Sequence, residues 1–116
     1  MRRGDVVYVR LPPPDPAAPT RVQQGPRPAV VVQADAHREP PSVVVVVPAT
    51  TNLLAMKFSC SVLIHPDGSN GLTADSVLLI GQVGPVDATR VVQVLGRLGD
   101  NDLALLEENL RLLLGL

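Results

Sequence analysis

Ser42-Val43-Val44-Val45-Val46-Val47 is the stretch that decides the fold. Five consecutive β-branched side chains suit a pleated surface, and with no polar residue alternating among them the strand is expected to be buried on both faces. Pro28-Ala29-Val30-Val31-Val32 reads the same way, so these two runs are the expected central strands. Upstream, the β-branched and aromatic segment from Gly4 to Leu11 stops at Pro12-Pro13-Pro14, which cannot continue a ladder, and reads as a first strand. Residues 12–24 are rich in Pro, Ala and polar side chains without periodicity and read as a long stiffened surface loop.

Downstream, Phe58 to Ile64 and Ser76 to Val83 are further expected strands, separated by the turn signals Pro66-Asp67-Gly68 and Asn70-Gly71. Val91 to Leu98 fits either a short strand or a helical turn. From Asp100 the period changes: Leu103, Leu106, Leu110, Leu113 and Leu114 recur at helical spacing, with Asp100 or Asn101 able to cap the start and Gly115 to end it. Glu107 and Arg111 stand four apart in the order that favours an ion pair. Five or six short strands with one terminal helix give a mainly β fold, a small SH3-like barrel or strongly bent antiparallel sheet, as one domain over residues 1–116.

Composition removes several functional classes. With 46% hydrophobic and 18% charged residues the chain is too apolar for a disordered protein. Its longest uninterrupted apolar run outside the helical pattern, Val43 to Val47, is far short of the roughly 20 residues of a membrane-spanning helix. Met1-Arg2-Arg3 is followed at once by Gly4-Asp5 rather than by an apolar export segment, so a cytoplasmic location is expected. The formal net charge of −1 argues against coating nucleic acid by bulk electrostatics, yet five arginines face two aspartates over residues 1–27. Tyr8 and Phe58 are the only aromatic residues, too few for an extended base-stacking platform.

Most of the usual reactive constellations are absent. His37 and His65 read as surface histidines, because no second ligand stands at metal spacing, and neither metal nor cofactor is expected. Cys60 lies within a strand pattern and reads as a small packed hydrophobe. Asp35 with Glu39, and Asp67 with Asp75, fall where loops need solvated charge. What remains is Gln23-Gln24-Gly25-Pro26-Arg27-Pro28, in which one arginine sits between two prolines as a loop enters a buried strand. Pro26 fixes the approach and Pro28 biases Arg27 to extended backbone, so the guanidinium is aimed, either at a carboxylate on the rim or at a ligand. Thr50-Thr51-Asn52 stands just past the valine run and Pro48, where hydroxyls either cap a turn or contact a ligand. If the two clusters meet, an Arg fork beside a Thr hydroxyl suits a phosphate.

Four blocks, in this order, resemble the MazF/PemK toxins, sequence-selective endoribonucleases of bacterial toxin–antitoxin pairs: Arg3-Gly4-Asp5-Val6, Gln23 to Val31, Val46-Val47-Pro48-Ala49-Thr50-Thr51, and Asp75-Ser76-Val77 running to Gln82-Val83. Leu95-Gly96-Arg97-Leu98 and the Leu-rich helix also look like the family's ending, so the likeness covers nearly the whole chain. The resemblance implies an SH3-like barrel that forms a homodimer, is neutralised by a cognate antitoxin, and cuts single-stranded RNA without metal. The products would be 2′,3′-cyclic phosphate and 5′-hydroxyl ends. It places the catalytic pair on Arg27 and Thr50, and RNA contacts on Gln24, Thr51 and Gln82. The chain departs from the family's pattern at Thr20, Arg21, Val22, Gly81 and Gly84, in segments that would choose bases and gate the groove. A gyrase-inhibiting toxin of the same fold and a catalytically silent binding module are the alternatives.

Overall fold

The computed structural model describes residues 1–13, 15–18, 22–34 and 42–116. The strands are β1 (Asp5–Arg10), β2 (Pro26–Val31), β3 (Val43–Thr50), β4 (Ser61–Ile64), β5 (Ser76–Leu79), β6 (Gly84–Asp87) and β7 (Val91–Arg97), followed by the helix α1 (Asp100–Leu114). Every pairing is antiparallel, in the order β4-β5-β3-β2-β1-β7, with β6 also on β3. The sheet is strongly bent and its end strands β4 and β7 do not pair, so of the two expected forms the open, bent sheet is the one adopted.

Strand β3 organises the bend. One of its edges carries β2, through Val46, Val47 and Pro48. The other carries β6 over Val43–Val46 and then β5 from Ala49. Pro48, which has no N–H to donate, stands at this change of partners and is tolerated there. The strand therefore runs on through Pro48 to Thr50, three residues beyond the end of the valine run.

Both faces of β1, β2 and β3 are buried, as their unalternated valines imply. Val6, Val30, Val47 and Ala49 join Ile64, Leu78, Ile80, Leu98 and Leu106 in one core beneath α1. Val7, Val9, Ala29, Val31, Val44 and Val46 form a second core on the opposite face. Arg3 reaches Glu107 at 3.0 Å and Arg97 reaches Asp5 at 3.1 Å, so the Arg3-Gly4-Asp5 block ties the first strand to α1 and β7. Each such part-exposed pair adds about 0–1 kcal/mol, which fixes direction more than stability.

Several expectations are corrected. Val91–Arg97 is a strand, and β6 has no signal in the sequence beyond Gly84-Pro85. The expected strand from Phe58 begins only at Ser61, because Leu53–Lys57 forms a 3-10 turn capped by Phe58, and Cys60 adopts φ 63 just ahead of β4. The strand from Ser76 ends at Leu79, and Gln82 closes a second 3-10 turn, Ile80–Gln82. Gly99, not Asp100 or Asn101, is the N-cap of α1, and Glu107 bonds Arg3 rather than Arg111. Gly115 ends the helix in the left-handed region, as expected.

The loop before β5 lies directly on β7. A Cβ on Gly96 would meet the Ser69 carbonyl oxygen at 2.3 Å and the Asn70 carbonyl carbon at 2.7 Å, and the Arg97 N–H donates to that same Ser69 oxygen at 2.8 Å. Backbone against backbone cannot yield as a side chain would. Gly96→Ala is therefore expected to destabilise the fold by about 1–3 kcal/mol, as overpacking does, seen as a lower urea midpoint at fixed protein concentration.

Candidate functional site

Arg27 is the second residue of β2, opposite Val9 of β1. Extending by two residues the register that sets Ala29 against Pro48 brings it to the level of Thr50 at the end of β3, and its guanidinium reaches the neighbouring Ala49 carbonyl. The pleat puts Arg27 on the face of Ala29 and Val31, and Thr50 on the face of Val44 and Val46, which is the face of the second core. The two clusters that the sequence left unconnected thus meet at one rim.

The guanidinium is held firmly. Its Nε and Nη2 donate to the Gln24 carbonyl at 3.2 and 2.7 Å, and Nη1 donates to the Gln23 side-chain oxygen and to the Ala49 carbonyl at 3.4 Å. All of these acceptors are neutral, and among the described residues no carboxylate pairs with Arg27, so the alternative of a rim carboxylate is not the arrangement found. Partial burial pushes the guanidinium below its ordinary value, because lost hydration is not replaced by a counter-charge. An anion arriving here supplies what desolvation removed.

Thr50 follows Ala49, whose carbonyl accepts from the Arg27 guanidinium, at the end of β3. The Thr50 side-chain oxygen accepts from the Asn52 N–H at 3.2 Å, and the hydroxyl keeps its own hydrogen to donate. Thr50 also lines a pocket of about 180 Å³ with Gln23, Asn52, Lys57 and Phe58. Lys57 Nζ lies 5.5 Å from the centre of the Phe58 ring, setting a second cation and the chain's only phenylalanine at the same mouth.

Gln82 enters through Gln23: its side-chain oxygen accepts from the Gln23 N–H at 2.8 Å. Gln24 contributes its backbone carbonyl to Arg27, while Gln23 supplies the side chain, a role the sequence reading did not give it. Thr51 is not brought to this side; it lines a separate pocket with Tyr8. Three of the departures from the family pattern do gather here, since Val22, Gly81 and Gly84 line one largely apolar pocket of about 430 Å³ together with Gln82. Thr20 and Arg21 lie outside the described residues, as do His37, Asp35 and Glu39.

The remaining candidates serve the scaffold. Asp67 accepts from the N–H groups of Ser69 and Asn70 and from the Ser69 hydroxyl at 2.8–2.9 Å, which holds its carboxyl below the usual range. His65, exposed as expected, bonds Asp75 at 2.8 Å. Among the described residues no group of three side chains with metal-ligating chemistry is assembled.

A profile described as "PemK-like, MazF-like toxin of type II toxin-antitoxin system" matches residues 2–114. Endoribonuclease MazF9 of Mycobacterium tuberculosis is 35% identical over 121 residues, covering 100% of this chain and 98% of that protein. The fold is similar to crystalline MazF from Deinococcus radiodurans, with a TM-score of 0.76 and 22% identity over 100% of this chain and 97% of the other. It is also similar to a mycobacterial endoribonuclease solved with its cognate antitoxin, with a TM-score of 0.73 and 20% identity over 100% and 96% of the two chains.

The hydrogen bond that His65 Nδ1 donates to Asp75, together with the carboxylate's charge, raises the His65 pKa above 6.5. A raised folded-state value stabilises the fold below the ordinary histidine range, and this contribution is lost as pH rises through the folded-state value. NMR titration of Asp75→Asn is expected to show His65 titrating at lower pH than in the wild type.

Proposed function

As the chain belongs to the PemK-like, MazF-like toxin family of type II toxin–antitoxin systems, we propose that it is an endoribonuclease that cuts single-stranded RNA by 2′-hydroxyl attack, with Arg27 and Thr50 as its catalytic residues. The observation that carries this reading is the aimed, partly buried guanidinium with only neutral acceptors, one of them the carbonyl of Ala49, the residue before Thr50. Residues 1–116 are read as one toxin domain acting in the cytoplasm. Among the described residues no helix is long and apolar enough to cross a membrane.

The chemistry needs no nucleophile from the protein. The RNA 2′-oxygen forms a bond to phosphorus as the bond to the 5′-oxygen breaks. One proton leaves the 2′-oxygen and one arrives at the 5′-oxygen, so 2′,3′-cyclic phosphate and 5′-hydroxyl ends result. Negative charge builds on the non-bridging oxygens in the transition state, where Arg27 and the Thr50 hydroxyl donate hydrogen bonds. Arginine remains protonated near neutral pH, so charge stabilisation is its role here rather than proton abstraction. Gln23, anchored on Gln82, keeps the guanidinium from turning away. Lys57 and Phe58 extend the site towards a neighbouring phosphate and base.

A homodimer and a cognate antitoxin complete the reading. Leu112 and Leu114 at the end of α1 and Val92 and Val94 on β7 are exposed, apolar surface of the kind a subunit contact covers. An acidic antitoxin segment would offset the uncompensated charge of Arg27 and so block the site.

The test is incubation of wild type, Arg27→Ala and Thr50→Ala with long mixed-sequence RNA in EDTA, mapping cut sites and end chemistry. Wild type is expected to cut at a short recurrent sequence, leaving cyclic phosphate. Each variant should lose about 10²–10³-fold in rate, the cost of one oxyanion donor. Intact RNA from a folded wild-type dimer would overturn the reading in favour of a protein target such as gyrase.

A further inference from the structure

The rim that carries Arg27 and Thr50 has a second mouth. Pro28 follows Arg27 within β2, so alternation sends it to the opposite side, and Thr51, just past the end of β3, lines the same pocket as Pro28. On that side Thr51 and Pro28 line a pocket of about 390 Å³ with Tyr8, Thr73 and Gln93, over an apolar floor of Leu72 and Leu95. Tyr8 and Gln93 are direct partners between β1 and β7, and Tyr8 faces Pro28 across β1 and β2. The chain's two aromatic residues are therefore shared out, Phe58 to the mouth beside Thr50 and Tyr8 to the mouth beside Thr51.

The polar groups of this second mouth are uncommitted. The Ser76 hydroxyl donates to the Ala74 carbonyl at 3.0 Å, but the side chains of Tyr8, Thr51, Thr73 and Gln93 make no hydrogen bond among the described residues. At the other mouth Gln23, Arg27 and Asn52 are already bonded within the protein. Hydroxyl and amide groups converging over an apolar floor beside one aromatic ring match a flat ligand with apolar faces and a polar edge. No cation lines the pocket, so it is not built for phosphate. An apolar peptide side chain would make no use of these four polar groups.

We infer that the pocket formed by Tyr8, Thr51, Thr73 and Gln93 is a nucleobase subsite, taking an unpaired base next to the phosphate held by Arg27 and Thr50. It thereby sets part of the cleavage sequence. This inference rests on the ribonuclease reading above. A strand crossing the rim presents one base to each side, Phe58 receiving one and Tyr8 the other. Recognition is through the base edge, as unpaired RNA allows.

Wild type, Thr73→Val, Gln93→Ala and Tyr8→Leu are compared on mixed-sequence RNA by mapping 5′-hydroxyl ends, with thermal melting as a check of folding. Thr73 and Gln93 are exposed, so their variants keep the test valid if Tyr8→Leu fails to fold. The expected result is continued cleavage with unchanged end chemistry and a preference at one position beside the cut that relaxes about tenfold. Cleavage maps identical to wild type in Thr73→Val and Gln93→Ala overturn the subsite while leaving the ribonuclease reading intact, and assign the pocket to another partner. Equal loss of cleavage at every sequence also overturns it, since that marks a part in the chemistry. Intact RNA with wild type overturns both.

Discussion

Pro48 sits where β3 stops pairing with β6 and begins pairing with β5, and the rest of the structure depends on that transfer. A residue with no N–H cannot complete a ladder, so the partner on that edge is free to change there. The strand then continues two residues further, which sets Thr50 against Val77 of β5 instead of in a turn. The same transfer draws β4 and β5 away from β6, and the bent sheet keeps a core on each face of β1, β2 and β3. With both cores ending at one rim, each has its own mouth, and Thr50 and Thr51 line one each.

The electrostatics of Arg27 follow from this placement. In a fully exposed loop the cation would be hydrated and mobile, while in the interior it would need a carboxylate. On the rim it has three carbonyl partners that fix its direction without neutralising it. The carbonyls come from Gln23, Gln24 and Ala49, residues flanking the two prolines that shape the local backbone. Chain geometry and charge are thus one device: the prolines restrict the segments, and the restricted segments aim the guanidinium.

Those parts of the fold written as local pattern were legible in the sequence. The valine runs gave β2 and β3 with burial on both faces, and the leucine spacing gave α1 to within its cap. What was not legible depends on pairing across the chain. β6 is four residues without periodicity and exists because β3 offers an edge. Leu53–Lys57 curls into a 3-10 turn and carries Lys57 and Phe58 back to Thr50, a closure no short-range signal announces. Glu107 had Arg111 as its expected partner by helical spacing, and only the tertiary structure brings Arg3 to it instead. At the site, Arg27 and Thr50 stood out singly, and only the pairing of β2 with β3 brings the guanidinium to the Ala49 carbonyl beside Thr50. The choice of Gln23 over Gln24 is likewise one of side-chain direction, which alternates and cannot be counted from the sequence without the strand's phase.

The departures from the family pattern have a common physical character. Val22, Gly81 and Gly84 carry no charge and gather with Gln82 in one apolar pocket. None contacts the Arg27 guanidinium, whose acceptors are Gln23, Gln24 and Ala49. Gln82 is the link between the two regions, since its oxygen holds the Gln23 backbone and Gln23 holds the arginine. Displacing Gln82 from the apolar pocket would therefore loosen the Gln23 contact that steadies the cation, so that pocket and the guanidinium are coupled through a single hydrogen-bonded chain.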